Sequence, residues 1–425
     1  LASDGGNLSR VVSGFTRVSY SYDSKYLLTG TFRADGSSKY ANNRWGYFPS
    51  IGLGWVLTEE NFLKNNKYIN FLKLRGSWGK LGNSNVPANS SVTYGGPVDG
   101  GIFGGNNYIP GLTFSTVIKK PLKWEVIEEY DGGVEAYAFH NKLNFEIDYY
   151  SRITHDAVFN APVVGISGTD NLLGNNGKIK NNGFEMVVGW SSQTKSGKIK
   201  YNVNANFTTI HNEVLAINNE SGILYGPQVN GAFITQTTVG KPIGSFYGYK
   251  VIGVFQSNNE IDNYKSANGV ILQPDAIPGD LKFANTNGDN QINNDDRTYL
   301  GSPIPKFTYG LTGGLSYGNW DLSVAIQGVY GNKIFNLKRI DRNAFPDGNY
   351  DYDFYQHHWN GPGSTNKYPS AALTRKNIQP NSFFVESGSY IRLRNVQIGY
   401  TIPENTTKKI GFKSFRVYLN ALNPL

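Results

Sequence analysis

Apolar and polar residues alternate along this chain in stretches of about ten residues. Residues 143–149 read Leu-Asn-Phe-Glu-Ile-Asp-Tyr, so every second side chain is apolar or aromatic and those between are polar or acidic. A period of two gives a β-strand whose two faces meet different surroundings. The same alternation recurs at 201–207, 320–327 and 415–421. The pattern predicts an all-β fold.

The lengths of the connections identify the kind of β-structure. Further strands are predicted at 16–22, 26–34, 47–56, 71–82, 126–139, 183–190, 307–317 and 390–402, which gives roughly a dozen strands near the ~9 to 11 residues that cross a bilayer. Short connections at 23–25, 140–141, 194–198 and 318–319 alternate with long ones at 35–46, 83–122, 154–178, 215–305 and 332–389. The link at 57–70 is of middling length and fits this alternation loosely. Short periplasmic turns and long external loops are typical of outer-membrane barrels, so we expect a multi-pass transmembrane antiparallel β-barrel in the cell outer membrane.

Composition agrees with this class of protein. Aromatic residues make up 14% of the chain and the mean hydropathy is −0.40, with no apolar run near the ~18 to 20 residues of a transmembrane helix. The net charge of +8 comes from Lys and Arg scattered among acidic residues, which favours a surface near anionic lipid and predicts no nucleic-acid partner. The chain opens on Leu-Ala-Ser-Asp-Gly-Gly, without Met or a signal peptide, and we interpret it as a fragment.

Two local features of the sequence add detail to the predicted barrel strands. Lys142, Glu146, Asp148 and Arg152 share one face of their strand. Because a charge facing lipid costs about 2 to 4 kcal/mol for Arg or Lys at midplane, that face is predicted to line a wet lumen. Within 390–402 the apolar phase switches, which predicts a bulge near Arg394.

One segment in a long connection has the spacing of a calcium loop. At residues 285–296, loop positions 1, 3, 5, 9 and 12 carry oxygen-bearing side chains and position 8 is Ile. The predicted ligands are Asn285, Asn287, Asp289, the Gln291 carbonyl, Asn293 and Asp296. The alternative is a turn held by its own Asn and Asp side chains. We expect no required cofactor, with calcium in an external loop as the one candidate.

An aromatic segment supplies the candidate ligand contacts. The residues are Tyr352, Phe354, Tyr355 and Trp359, in a loop that also holds adjacent histidines at 357 and 358. Such rings stack on sugars or peptide side chains, but they equally pack on one another or form an interfacial girdle. The sequence offers no Ser/His/Asp constellation, P-loop or dinucleotide fingerprint, so we expect no enzyme and no catalytic residues.

Several segments together resemble the SusC/RagA-like TonB-dependent transporters of outer membranes. They are Arg-Ala-Asp-Gly-Ser-Ser at 33–38, Trp-Gly-Tyr-Phe-Pro-Ser at 45–50, Leu-Lys-Leu-Arg-Gly-Ser-Trp-Gly at 72–79, Asn-Asn-Gly-Phe-Glu at 181–185, Gly-Ser-Phe-Tyr-Gly-Tyr at 244–249, Gly-Asp-Leu-Lys-Phe at 279–283, Leu-Gly-Ser-Pro-Ile-Pro-Lys-Phe at 300–307, Gly-Ser-Tyr-Ile-Arg-Leu-Arg-Asn-Val at 388–396 and Phe-Arg-Val-Tyr at 415–418. The resemblance covers nearly the whole chain.

The resemblance implies a plugged barrel of roughly 22 strands, of which residues 1–425 form a partial barrel domain. The plug, the first strands and the closing strand have no counterpart in it. Import of oligosaccharides or peptides, powered by TonB through the missing N-terminal region, is implied, with a SusD-like surface lipoprotein as partner. The calcium-like loop departs from the Asp- and Gly-rich form of the family.

Two alternatives remain open at this point. A stand-alone outer-membrane porin or receptor shares the alternation and the loop asymmetry but lacks a lid partner. A soluble β-rich adhesin shares the strands but buries its apolar faces in a core.

Overall fold

The computed structural model describes residues 8–86, 94–103, 107–116, 121–162, 171–219, 221–344, 349–371 and 377–424. The chain divides into two compact units, which are described separately. The sheet unit comprises Leu1–Gly222, Lys306–Val329 and Tyr390–Leu425, and the insert unit comprises Ile223–Pro305 and Tyr330–Ser389. The insert unit therefore forms from the two long connections predicted at 215–305 and 332–389.

The strands and helices follow in chain order. The first strands are β1 (Val11–Tyr22), β2 (Tyr26–Ser37), β3 (Trp45–Val56), β4 (Ile69–Asn83), β5 (Tyr94–Phe103), β6 (Asn107–Thr116), β7 (Glu125–Ala138), β8 (Leu143–Pro162), β9 (Asn171–Gln193), β10 (Ile199–Thr209) and β11 (His211–Ile217). The next are β12 (Ile223–Tyr225), β13 (Gln228–Val229), β14 (Ala232–Phe233), β15 (Thr235–Thr238), β16 (Ser245–Tyr249), β17 (Val251–Val254), β18 (Leu281–Phe283) and β19 (Arg297–Gly301). The last are β20 (Phe307–Tyr317), β21 (Trp320–Tyr330), β22 (Lys333–Phe335), β23 (Val385–Ser387), β24 (Tyr390–Thr401) and β25 (Arg416–Leu422). The helices are α1 (Asn258–Asn263), α2 (Leu337–Ala344), α3 (Tyr352–His357) and α4 (Glu404–Thr407), and 3₁₀ turns lie at Leu57–Glu59, Asn294–Asp296, Ser382–Phe384 and Lys408–Ile410.

The sheet unit is built on a 13-stranded sheet with the order β1-β2-β3-β4-β7-β8-β9-β10-β20-β21-β24-β25, in which β11 also pairs with β9. Each predicted strand overlaps one of these strands. The short connections are tight: the Lys25 amide donates to the Tyr22 carbonyl at 3.0 Å, and Asp23 and Ser24 have φ of 51° and 55°. Left-handed turn residues match the twist of adjacent strands, which explains why these hairpins close in so few residues.

Two predicted connections are wrong in part. The connection at 154–178 is shorter than predicted, because β8 continues to Pro162 and β9 begins at Asn171, with a register shift after Thr154. That shift changes the phase of the alternation and hides the continuation from a period-two pattern. The connection at 83–122 contains the hairpin β5–β6, although residues 87–93, 104–106 and 117–120 lie outside the described part.

The predicted bulge is confirmed. Ala325 of β21 pairs with Asn395 of β24, whereas the next residue, Ile326, pairs with Leu393. Arg394 is therefore the extra residue in β24. The bulge brings both apolar phases of β24 to one face of the sheet.

One face of the sheet is apolar between two bands of aromatic rings. At the short-turn end Tyr26 stacks with Tyr22 and with Trp55, each at 6.4 Å between ring centroids. At the opposite end Phe32 stacks with Tyr47 at 6.2 Å. The residues from Tyr47 to Trp55 span roughly 26 Å at ~3.3 Å per residue, which matches the apolar band and flanking girdles of a membrane barrel.

The insert unit has a buried core of its own. Val254, Leu281 and Phe283 form one cluster on β17 and β18, with exposed fractions of 1%, 0% and 1%. Gln256 connects the segment at 359–365 to this cluster. Its side-chain nitrogen donates to the Thr365 carbonyl, and its side-chain oxygen accepts from the Trp359 indole at 3.1 Å. The insert unit is thus packed in the manner of a water-soluble domain. No helix among the described residues is long and apolar enough to cross a bilayer.

Candidate functional site

The second face of the sheet carries a network of charges on β4, β7 and β8. Arg75 Nε donates to Asp148 Oδ1 at 3.0 Å, and the same guanidinium pairs with Glu146. Beside it Lys73 Nζ lies 2.9 Å from Glu135 Oε2. Because side chains alternate in a strand, Glu146 and Asp148 lie on one face, as predicted. Such charges are incompatible with lipid, so this face lines the aqueous interior of the barrel.

The cationic half of this network was missed at the level of sequence. Lys73 lies opposite Glu135 in the β4–β7 register, and Glu135 lies opposite Glu146 in the β7–β8 register. These partners are far apart in the chain, so no short sequence motif indicates that they pair. Opposite charges directly across a strand pair stabilise the register.

The calcium-like loop is closed by its own hydrogen bonds. The Asn285 side-chain oxygen accepts from the Gly288 amide at 2.7 Å, that of Asn287 accepts from the Asp289 amide at 3.0 Å, and Asp289 Oδ1 accepts from the Gln291 amide at 2.9 Å. These are the turn contacts that Asn and Asp side chains form without any ligand.

Asp296 anchors the end of the loop. It is fully buried, and its two carboxylate oxygens accept from the amides of Thr286 at 2.7 Å and Asn293 at 2.8 Å. Asn293 in turn caps the 3₁₀ turn by accepting from the Asp295 amide at 2.7 Å. Among the described residues no group of three or more His, Cys, Asp or Glu side chains is placed to hold a metal ion. Calcium binding at this loop stays a prediction.

The insert unit contains an open groove of about 650 Å³. Its charged centre is Arg339 on α2, which donates to Asp353 at 3.2 Å and pairs with Glu386 at 3.0 Å. The Tyr368 hydroxyl donates to Asp353 at 2.7 Å. This hydrogen bond, with Arg339 and His357, holds the pKa of the Asp353 carboxyl below its ordinary value, although burial opposes the shift. The groove therefore presents paired charges of both signs.

The predicted aromatic contacts lie on or beside α3. Tyr352 and Tyr355 are 73% and 67% exposed. Phe354 is only 2% exposed and stacks on Tyr350 at 5.0 Å, so it holds the helix in place rather than facing solvent. Trp359 is half-buried against the cluster on β17 and β18. Ligand contact by these residues stays a prediction, and Tyr352 and Tyr355 are the two that offer exposed rings.

Comparison with known proteins gives concordant matches over nearly all of the chain. A family model described as TonB dependent receptor-like, beta-barrel, matches residues 2–423. TonB-dependent receptor P3 of Formosa agariphila is 31% identical over 424 residues, which is 99% of this chain and 41% of that protein. TonB-dependent receptor SusC of Bacteroides thetaiotaomicron is 26% identical over 97% of this chain and 40% of its own length.

A solved structure has the same fold. A chain from the structure of the RagAB peptide transporter superposes with a TM-score of 0.80 at 23% identity, covering 98% of this chain and 44% of its own. The present chain thus spans about two fifths of the length of the curated relatives it matches.

Proposed function

The chain belongs to the family of TonB-dependent receptor β-barrels, and on this premise we propose that it forms part of an active importer of oligosaccharides or peptides. Its place is the outer membrane, as a multi-pass β-barrel. Import is powered by TonB and requires no catalysis by this chain. A SusD-like surface lipoprotein closes over the mouth.

The observation that carries the proposal is the match along 97% of the chain to a receptor named SusC, combined with a polar face that lines the barrel interior. A passage for polar solutes needs such a face. The RagAB match supports the fold, and that complex is a peptide transporter. Oligosaccharides and peptides therefore both stay within the proposed substrate class.

The test is purification of the full-length protein from native outer membranes in mild detergent, followed by identification of what accompanies it by mass spectrometry. We expect a surface lipoprotein in stoichiometric amount. A barrel that is reproducibly free of any partner would contradict the lidded importer and favour a stand-alone channel or receptor. Uptake that persists without TonB would contradict active import.

A further inference from the structure

The dipeptide Asn-Gly occurs six times in the chain, with its asparagine at 176, 182, 230, 268, 287 and 360. Asparagine is thermolabile, because the backbone nitrogen of the next residue can attack its side-chain carbonyl carbon. Glycine as the next residue favours this attack, since it has no Cβ to crowd the nitrogen and its backbone turns freely. The six pairs share this sequence, so the surroundings of each pair decide which one reacts.

Two of the pairs lie in the sheet unit and are protected by it. Gly177 and Gly183 are both buried inside β9. Each is in register with a residue of β8, so its backbone is extended and fixed by strand pairing. The ring that the reaction must form could close only after the strand had opened locally.

Three pairs in the insert unit are held by hydrogen bonds. The Gly269 amide donates to the backbone carbonyl three residues earlier at 3.0 Å, and the Gly288 amide donates to Asn285 Oδ1 at 2.7 Å. In the third pair the reacting side chain is held, because Asn230 Nδ2 donates to the Ile378 carbonyl at 3.0 Å. Such a bond must break before the ring can close, and this lowers the rate of reaction.

The pair at 360 and 361 has neither constraint. Asn360 is exposed, and within the described ranges neither its side chain nor the Gly361 amide has a hydrogen-bond partner. The turn that follows explains the free amide. The Ser364 amide donates to the Gly361 carbonyl at 3.1 Å, with Pro362 and Gly363 at the central positions, and Gly363 has the φ of 82° that a type II turn requires. The first residue of such a turn contributes its carbonyl and leaves its N–H outside the turn.

We propose that Asn360 is a site of spontaneous deamidation. The Gly361 nitrogen loses its proton to solvent and attacks Cγ of Asn360, so that a nitrogen–carbon bond forms. The Cγ–Nδ2 bond then breaks and ammonia leaves. Water opens the resulting cyclic imide at either carbonyl, which gives aspartate or isoaspartate at position 360. The net reaction is amide plus water to carboxylic acid plus ammonia.

The modified residue lies in a turn that a single side chain anchors on both sides. Gln256 Oε1 accepts from the Trp359 indole at 3.1 Å and from the Gly363 amide at 2.8 Å. Isoaspartate adds one carbon to the main chain between these two donors, so they cannot both keep their bonds unless the turn rearranges. Deamidation at Asn360 therefore loosens the turn at 359–364 as the protein ages, and it does so independently of the proposed import function.

The experiment follows all six pairs in the full-length protein, kept in mild detergent at mildly alkaline pH. Samples are taken at intervals and digested with an acid protease, and mass spectrometry gives the fraction of acid at each asparagine. The same protein unfolded in urea is the reference, because there no pair is held by the fold. We expect Asn360 to lose its amide several-fold faster than the other five in the folded protein, and all six to react at similar rates in urea.

Asn360→Gln is the matched control, since glutamine keeps an exposed amide but would have to close a larger ring. Hydrogen exchange at 359–364 should be faster in aged than in fresh wild-type protein, and unchanged by ageing in Asn360→Gln. The proposal is overturned if Asn360 keeps its amide in the folded protein while the unfolded chain loses it, or if another pair reacts as fast in the folded protein. Equal loosening of the turn in aged Asn360→Gln would overturn the stated consequence.

Discussion

The sheet unit exposes large apolar side chains on one face, whereas the insert unit buries them in a core. In the sheet unit Val18 and Leu53 are 62% and 59% exposed, whereas in the insert unit Phe255 and Leu281 are fully buried. Charges follow the inverse pattern, since Arg75 and Asp148 lie on the inner face of the sheet. One chain therefore folds against two solvents, lipid and water. Exposure of apolar side chains therefore does not by itself distinguish a poorly packed core from a surface that faces lipid.

The largest expected effect lies in the core of the insert unit. Replacing Phe283 by Ala removes a ring that is 1% exposed between Val254 and Leu281, which should cost about 3 to 5 kcal/mol. The insert unit should then be cut rapidly by protease while the barrel still migrates as a folded species on gels. The control is Tyr352→Ala, at a 73% exposed site. A Phe283→Ala protein that fails to assemble its barrel would show that the two units do not fold separately.

In the sheet unit the corresponding test introduces a charge on the apolar outer face, where exposed side chains must be apolar. Leu322→Arg places a charge on the face predicted to meet lipid, at a cost of about 2 to 4 kcal/mol near the bilayer centre. The neighbouring Ser323→Arg on the polar face should be tolerated. Heat-modifiable mobility of the full-length protein measures both. Equal loss of assembly in the two variants would contradict the assignment of the faces.

Removing one partner of the charged network should have an intermediate effect. Arg75→Met leaves Asp148, whose side chain is 12% exposed, without its cation, and we expect a loss of about 1.5 to 3 kcal/mol. Urea unfolding of the purified barrel reports the change, with Ser77→Ala on the same strand as control. The double variant Arg75→Met, Asp148→Ala should recover part of the loss. A double variant as unstable as the sum of the singles would show that the pair is not coupled.

Substitutions in the loop at 285–296 should destabilise that loop and leave the barrel unchanged. Asp296→Ala removes the acceptor for the Thr286 and Asn293 amides, and with Asp289→Ala it should cost about 0.5 to 2 kcal/mol of loop stability. Hydrogen exchange should accelerate in this loop, with barrel assembly unchanged. Loss of assembly would mean that the segment does not lie in an external loop.

The smallest expected effect tests the calcium prediction itself. Added Ca²⁺ should slow hydrogen exchange in residues 285–296 of the wild-type protein, and Asp289→Ala alone should remove that slowing because Asp289 faces three loop partners. Mg²⁺ serves as the control ion, since it requires near-ideal octahedral geometry and binds irregular sites of oxygen ligands less readily. Identical exchange with and without Ca²⁺ would leave the loop as a turn held by its own side chains.

The sequence was sufficient for features with a local signature. The period of two located the membrane strands, the phase switch in 390–402 located the bulge at Arg394, and the lengths of the connections located the segments that form the insert unit. The continuation of β8 and β9 was missed, since a register shift breaks the period there. The sequence did not show that the Phe354 ring is buried, because an aromatic ring in a loop has the same sequence signature whether it faces solvent or a core.

What the amino-acid sequence determined by itself is the class of the protein: alternation fixes two faces for each strand, and connection lengths fix which ends are tight. The tertiary structure decided which side chains meet. Arg75 reaches Asp148 and Asn204 lies over Gly189 only because distant strands pair in a particular register. Register depends on turns, bulges and cross-strand contacts summed over the whole sheet, and a single residue of slip would exchange its two faces.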